Sequence, residues 1–461
     1  MITTLLHLFQ SHKYNSKAFL KACFCNPKII FHSAQRQSLD WTIKIIVLLT
    51  GSIWIMLILS IVLYNTGHTT WYELLIGILI ILMFFPFYLV TTNFLFFPIQ
   101  ITYEQYIIQK AKSKLKKHKE LKVIGIVGSY GKTSQKEILQ DVLSTKYEVL
   151  ATVDNKNTLL SVAYRIIRCL QEKHQIFIVE MWEDHIGDIE RLCKLVNPHI
   201  GIITWITKQH LDTFWSFNKV ISTIWELFEH TAVECPIYMH KNHQELNHFI
   251  MKNRNRTIIL PQIETYSYLP EFQWISFKYT SDTYTTKLIT PHSIYPLITA
   301  QEIGTSLSID RQTIINRVGT ITPIQHRMQP IHNIQSDIRV IDDTYNGNIE
   351  WFKSGREFMK QLHISWHKRY ITPWLIGLGA ESNEIHFQLW KALSWSVDKI
   401  ILIKNANTLS FARGLTEWWT DEKDIIFFIS SLEAHQSLGA LLVSGDVILF
   451  QNDVPDLLLW S

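Results

Sequence analysis

The chain has 461 residues, 47% of them hydrophobic and 18% charged, with a net charge of +4, which leaves room for two or three domains of ~100–200 residues each. This composition excludes a disordered chain, a collagen-like one and a strongly basic nucleic-acid binder, and five scattered cysteines exclude a disulfide framework. Glycine and tryptophan are out of balance: 17 glycines stand beside 16 tryptophans, where glycine alone usually takes ~7% of a chain.

Two apolar runs come first. Residues 45–64 carry no charge and are long enough to cross ~30 Å of hydrocarbon. Residues 74–97 form the second run, with a kink expected at Pro86. Lys13, Lys17, Lys21, Lys28 and Arg36 precede the first run, and seven lysines from Lys110 to Lys122 follow the second. The short connector at 65–70 has neither lysine nor arginine. This bias predicts a cytoplasmic tail at 1–40, a transmembrane hairpin at 41–98 and a basic linker helix at 99–122, with both termini at the cytoplasmic face of the inner membrane. The lysine run reads either as a helix near anionic lipid or as a solvated linker.

The pattern changes at Lys122. Val123-Ile124-Gly125-Ile126-Val127 is a short apolar strand signal, followed at once by Gly128-Ser129-Tyr130-Gly131-Lys132-Thr133-Ser134 and then a helical stretch. Strand, glycine loop and helix in that order are the setting of a phosphate-binding loop. Gly128 and Gly131 let backbone N–H groups face phosphate oxygens, and the helix N-terminus adds a partial positive charge. In that setting Lys132 reaches the β- and γ-phosphates and the Thr133 hydroxyl takes a Mg²⁺ position, so ATP is the expected ligand. The general signature has a further glycine where this chain has Ile126. The loop is the shorter G-x-x-G-K-[TS] form.

That shorter loop and the order of motifs after it resemble the Mur ligases. Asn157-Thr158, the strand 176–181 ending in Glu180-Met181, Gly187-Asp188-Ile189, Asn197-Pro198 and Gln209-His210-Leu211 follow the family's sequence of motifs. The run 340–348 (VIDDTYNGN) resembles the branch that joins D-alanyl-D-alanine to a peptidoglycan precursor peptide, and Gly445-Asp446-Val447 resembles that branch's final strand. The similarity spans 123–461. It implies an α/β protein with a central P-loop ATPase-like parallel-sheet domain at 123–325 and a C-terminal Rossmann-like α/β domain at 326–461, behind the transmembrane hairpin. It further implies an ATP-dependent amide ligase working through an acyl phosphate, with ATP and Mg²⁺ as cofactors. On the same resemblance, Gly128, Ser129, Gly131, Lys132, Thr133, Ser134 and Asn157 meet the nucleotide, and Thr133, Glu180 and His210 hold metal. Arg327, Asp343, Asn346 and Asn348 approach the nucleotide from the C-terminal domain. Lys132, His210 and Arg327 would serve the chemical step.

Three departures accompany the resemblance. A membrane hairpin stands in the place of the family's uridine-nucleotide-binding domain. Ile224, in Thr223-Ile224-Trp225-Glu226-Leu227, occupies the place of a carbamylated lysine that bridges metals. Pro291-His292-Ser293-Ile294-Tyr295-Pro296 lacks the two asparagines of a G-x-H-N-x-x-N segment. The expected partners are therefore a nucleotide- or lipid-linked precursor, a dipeptide or amino-acid amine and membrane lipid along 45–64 and 74–97, with no nucleic acid. An ATP-binding scaffold with little or no catalysis, or a ligase for another amino-acid polymer, is the alternative. Trp182, Trp215 and Trp374 stand at family glycines and Trp225 at a variable place, with Trp205, Trp351 and Trp390 as weaker cases. Glycine and tryptophan together make up the ~7% share usual for glycine alone. The pattern is the one left when UGA codons, glycine in the source cell, are written as tryptophan; UGG at 182, 215 and 374 in the gene would refute it.

Overall fold

A computed structural model describes the chain apart from residues 1, 12–13, 26–38, 40, 66–69, 154–155, 183–184, 208–213, 215, 240–257, 260, 269–273, 345–348, 363–366, 373–380, 394–395, 404–423, 430 and 452–461. The described chain divides into two units, one up to Tyr106 and one from Ile107 onward.

In the first unit the helices Ile2–Ser11 and Ser16–Cys25 turn Leu5, Leu6, Phe9 and Phe19 onto Ile45, Leu48, Phe85 and Leu89. These two helices thus pack on the apolar helices, within the stretch 1–40 that the sequence reads as a cytoplasmic tail. Helix Ile43–Asn65 has 23 residues with a mean hydropathy of 2.7 and is long and apolar enough to cross a membrane. Its Trp54, Leu57, Ile58 and Ile61 are exposed. Small residues let its neighbours close in: Gly77 lies under Leu63, and Gly51 and Ser52 meet Thr92.

The second apolar run is broken at Phe84 into Trp71–Met83 and Phe85–Lys117, bent by 56°. Pro86 then sits in the first turn of the following helix, where its missing N–H is tolerated. The break therefore falls ahead of the proline. Helix Phe85–Lys117 runs on through Pro98 to Lys117, so the basic stretch up to there continues this helix, while Lys122 opens the first strand.

Among the described residues the second unit contains three sheets. The first has the order β2-β3-β1-β4-β5-β6 and is parallel throughout. Its strands are β1 (Lys122–Val127), β2 (Val149–Ala151), β3 (Ile176–Glu180), β4 (Ile200–Ile203), β5 (Ile237–Met239) and β6 (Ile258–Ile259). Both faces are covered, as a parallel sheet requires. Val123 and Val127 join one cluster with Phe177, Val179 and Leu227. Ile124 and Ile126, one residue out of phase, join the other with Leu139, Ile178 and Ile298.

A three-stranded antiparallel sheet follows, with β7 (Thr265–Tyr268), β8 (Ile275–Tyr279) and β9 (Asp282–Thr286). The last sheet has the order β10-β11-β15-β12-β13-β14, from β10 (Gln329–Asn333), β11 (Ile338–Asp343), β12 (His367–Thr372), β13 (Lys399–Ile403), β14 (Ile425–Phe428) and β15 (Asp446–Gln451). Only β10 runs antiparallel in it. The late strand β15 is inserted between β11 and β12, which brings Gln451 beside Asp343. Phe352, Phe358, Tyr370, Trp390 and Leu449 fill the core next to it.

Candidate active site

Strand β1 lies between β3 and β4, and the carboxyl ends of these three strands converge on residues 128–134. Ligands of parallel sheets gather at such ends, where the connections diverge. Gly128 (φ +137°) and Gly131 (φ +81°) adopt left-handed backbone conformations, which cost glycine little. A Cβ at Gly128 would strike Thr204 Oγ1, and one at Gly131 would come within 2.9 Å of Trp205 Cε3. The loop is thus pinned on β4: Ser129 N–H (2.8 Å) and Tyr130 N–H (3.2 Å) donate to Trp205 O, and Thr204 Oγ1 donates to Val127 O at 3.1 Å.

Helix Lys132–Leu143 starts at Gly131, and Gln135 N–H is bonded to Gly131 O. A helix gives its first N–H groups no intrahelical acceptor, so this end directs donors toward the loop. Lys132 is 5% exposed; its Nζ donates to Gly128 O and lies 5.1 Å from the centre of the Trp182 ring. Ser129 Oγ reaches Thr207 O at 3.3 Å, and Ser134 lies half-buried in the first helical turn.

Glu180 ends β3 and is buried. Its Oε1 accepts from Thr133 Oγ1 and Asn157 Nδ2, both at 3.2 Å, and Thr152 Oγ1 accepts its backbone N–H at 3.1 Å. Its Oε2 has no hydrogen-bond donor and faces Lys136 Nζ at 3.5 Å. No sequence motif singles out Lys136. Its signal is the spacing of four residues from Lys132, which puts both lysines on one helix face. A hydroxyl and a carboxylate oxygen, one of its lone-pair sites still open, form a hard-oxygen donor set that fits Mg²⁺. Among the described residues no group of three His, Cys, Asp or Glu side chains could hold a metal.

The C-terminal sheet brings a second group to the same place. Asp343, the last residue of β11, is 2% exposed and accepts from Met328 N–H at 3.1 Å and Gln451 Nε2 at 2.7 Å. Burial pushes its carboxyl up to about 7, against the opposing pull of those donors and of Arg327. Arg327 stacks its guanidinium on Trp351, 4.9 Å from the ring centre. A cleft of about 530 Å³ lies between Thr133, Glu137 and Asp141 on the loop helix and residues 321–327, Arg327 included.

Tyr130, in the middle of the loop, joins the two groups. Its ring lies 5.1 Å from Trp205 and 5.4 Å from Trp351. His292 and Tyr295, from the segment lacking the family's asparagines, pack on Trp205 at 5.3 and 5.6 Å. Neither motif nor spacing could have disclosed this aromatic cluster, because its members come from distant segments.

Ile224 is fully buried on helix Phe217–Glu229, in the core of the first sheet. Its neighbour Trp225 stacks on Phe228 at 4.2 Å. Glu226 turns the other way: its carboxylate accepts Gly187 N–H at 2.6 Å and Glu190 N–H at 3.0 Å, capping helix Asp188–Val196. Burial raises its pKa. Of the expected site residues, Gly128, Ser129, Gly131, Lys132, Thr133, Ser134, Asn157, Glu180, Arg327 and Asp343 are described. His210, Asn346 and Asn348 lie outside the described residues, as do Trp215 and Trp374.

A parallel sheet with a phosphate-type loop, joined to a second α/β sheet across a cleft, is the architecture of a two-domain nucleotide-dependent ligase. The Mur ligase middle domain matches residues 126–304. The UDP-N-acetylmuramoyl-tripeptide–D-alanyl-D-alanine ligase of Borreliella burgdorferi is 25% identical over 352 residues, covering 71% of this chain and 73% of that protein. The Escherichia coli K12 ligase of the same name is 22% identical, over 70% of this chain and 74% of its own. The crystal structure of the MurF ligase from Thermotoga maritima in complex with ADP superimposes with a TM-score of 0.66 at 21% identity, covering 77% of this chain and 81% of that one. Over these stretches the chain is similar to Mur ligases, and its fold is theirs.

Proposed function

We propose that this chain is an ATP-dependent amide ligase that adds D-alanyl-D-alanine, or a similar amine, to a peptidoglycan precursor peptide at the cytoplasmic face of the membrane. The observation that carries this reading is the cleft that Thr133, whose hydroxyl donates to Glu180, shares with Arg327. The similarity to the two ligases above supplies the substrates.

The loop N–H groups and Lys132 would hold the ATP phosphates, with Thr133 and Glu180 holding Mg²⁺ and Asn157 fixing the Glu180 carboxylate. Bound there, the ion would neutralise charge on the phosphate oxygens. His210 would add a further metal ligand. Arg327 would position the nucleotide from the other side of the cleft, and Asp343, Asn346 and Asn348 would be its further contacts.

In the first step a carboxylate oxygen of the precursor attacks the γ-phosphorus, the bond from that phosphorus to the β-bridging oxygen breaks, and ADP leaves with the electron pair. In the second the amine nitrogen attacks the acyl carbon, the acyl carbon–oxygen bond breaks, inorganic phosphate leaves, and the nitrogen gives up a proton. Lys132 and Arg327 act by offsetting phosphate charge, as phosphoryl transfer requires. Ile224 in the core argues for a site without the family's bridging carbamate.

Helix Ile43–Asn65 supports membrane tethering by its length and apolar surface. The lysine end of helix Phe85–Lys117 supports it further: Lys110, Lys114 and Lys117, with Lys119 just beyond, line one cleft of about 680 Å³ that also holds Glu120 and Glu172, a net positive surface suited to anionic headgroups.

The test is phosphate release by the full chain in detergent, with ATP, a muramoyl-tripeptide precursor and D-alanyl-D-alanine. Release that needs both substrates, from a protein that stays in the membrane pellet at alkaline pH, is the expected result. ATP binding without acceptor-dependent release would leave only a scaffold.

A further inference from the structure

Two indoles pack on the phosphate loop. Trp205 covers Gly131 from the β4 side, so close that a Cβ at 131 would lie 2.9–3.0 Å from its ring atoms. Trp182, two residues past Glu180, covers Lys132: the ammonium lies 5.1 Å from its ring centre and also donates to Gly128 O. The Trp182 backbone N–H donates to Asn157 O at 3.2 Å, and the Asn157 side chain holds Glu180. The indole is therefore anchored at the point where loop, carboxylate and Asn157 meet.

A phosphate oxygen must come within ~3 Å of Lys132 Nζ to pair with it. Nζ has three N–H bonds. One is spent on Gly128 O, the indole face covers another side, and the whole residue is 5% exposed. An incoming phosphate must displace the indole, the carbonyl contact or both. A cation held on a ring face away from water resists that exchange.

From this geometry we infer that Trp182 is a positioning residue that holds Lys132 in a folded-back state and thereby limits nucleotide affinity, so that a small residue at 182 opens the loop. The inference rests on the nucleotide reading of this site. It also gives the tryptophan–glycine imbalance a structural meaning: if codon 182 is UGA and is read as glycine in the source cell, the chain made there has the open loop.

The experiment is calorimetric titration of the full chain in detergent with ADP and Mg²⁺, comparing the wild type with Trp182→Gly, Trp182→Ala, Trp182→Phe and Lys132→Ala. Trp182→Gly and Trp182→Ala are expected to bind ADP about tenfold tighter, equivalent to ~1.4 kcal/mol. Trp182→Phe keeps an aromatic face and is expected to stay within about threefold of wild type. The small variants should lower KM for ATP by a similar factor, while Lys132→Ala weakens ADP binding. Equal ADP affinity in wild type, Trp182→Gly and Trp182→Ala, with Lys132→Ala still weaker, overturns the gate alone. No ADP binding by any chain overturns the nucleotide site, and the gate with it.

Discussion

Asp343 should make the C-terminal sheet less stable as the pH rises from about 4 to about 7. Its carboxyl is buried between Met328 N–H and the Gln451 amide, and burial lifts its pKa from 3.8 to about 7. Between those two values the folded state binds a proton that the unfolded chain has released, so stability falls with rising pH. The contribution is fully present below the unfolded value and is lost as pH rises through the folded one. Each tenfold gain in proton affinity on folding is worth ~1.4 kcal/mol, so the whole window contributes at most about 4 kcal/mol. At ~2–4 °C per kcal/mol for a region of this size, the melting transition should move by several degrees. Asp343→Asn removes the titrating proton while keeping an acceptor for Met328 N–H, and should flatten the slope. Scanning calorimetry of the full chain in detergent between pH 5 and 7.5 measures it. An identical pH slope in wild type and variant would refute the argument, because the buried carboxyl would then not be the titrating group.

Glu226→Ala strands the N–H groups of Gly187 and Glu190 and removes a negative charge from a helix N-terminus; the cost should be about 2–3 kcal/mol, read as a lower melting midpoint. Lys136→Ala leaves the buried Glu180 carboxylate without the cation at 3.5 Å and should destabilise by about 3–5 kcal/mol; equilibrium denaturation gives the value, and Mg²⁺ with ADP should recover part of it.

What could be read from sequence was local. Val123 to Ser134 declared strand, loop and helix because the apolar run, the two glycines and the helical stretch are contiguous. Residues 45–64 declared a helix because twenty uncharged residues need no partner to be recognised. The strand β15 was legible as a strand, but its insertion between β11 and β12, and with it the contact of Gln451 with Asp343, is a property of the sheet order. Lys136 was hidden because a lysine on a helix usually faces water; the carboxylates of Glu137 at 3.2 Å and Glu180 at 3.5 Å make its burial tolerable. The short strands β7 to β9 (TYSY, ISFKY and DTYTT) offered few apolar residues, a weak signal that cross-strand pairing completes. Tyr130 stood in plain view inside the loop, yet its neighbours Trp205 and Trp351 come from 75 and 221 residues further along the chain.

Glu226 carries one more consequence. Its carboxylate fastens helix Asp188–Val196 to helix Phe217–Glu229, while Ile224, two positions earlier, belongs to the hydrophobic core. An acid at 226 therefore has an architectural role of its own, and needs no metal two residues away. A lineage could exchange the lysine at 224 for an aliphatic residue and still keep the acid at 226. A retained glutamate in that run is then a record of how two helices are joined, and should be counted separately from the metal chemistry when relatives are compared.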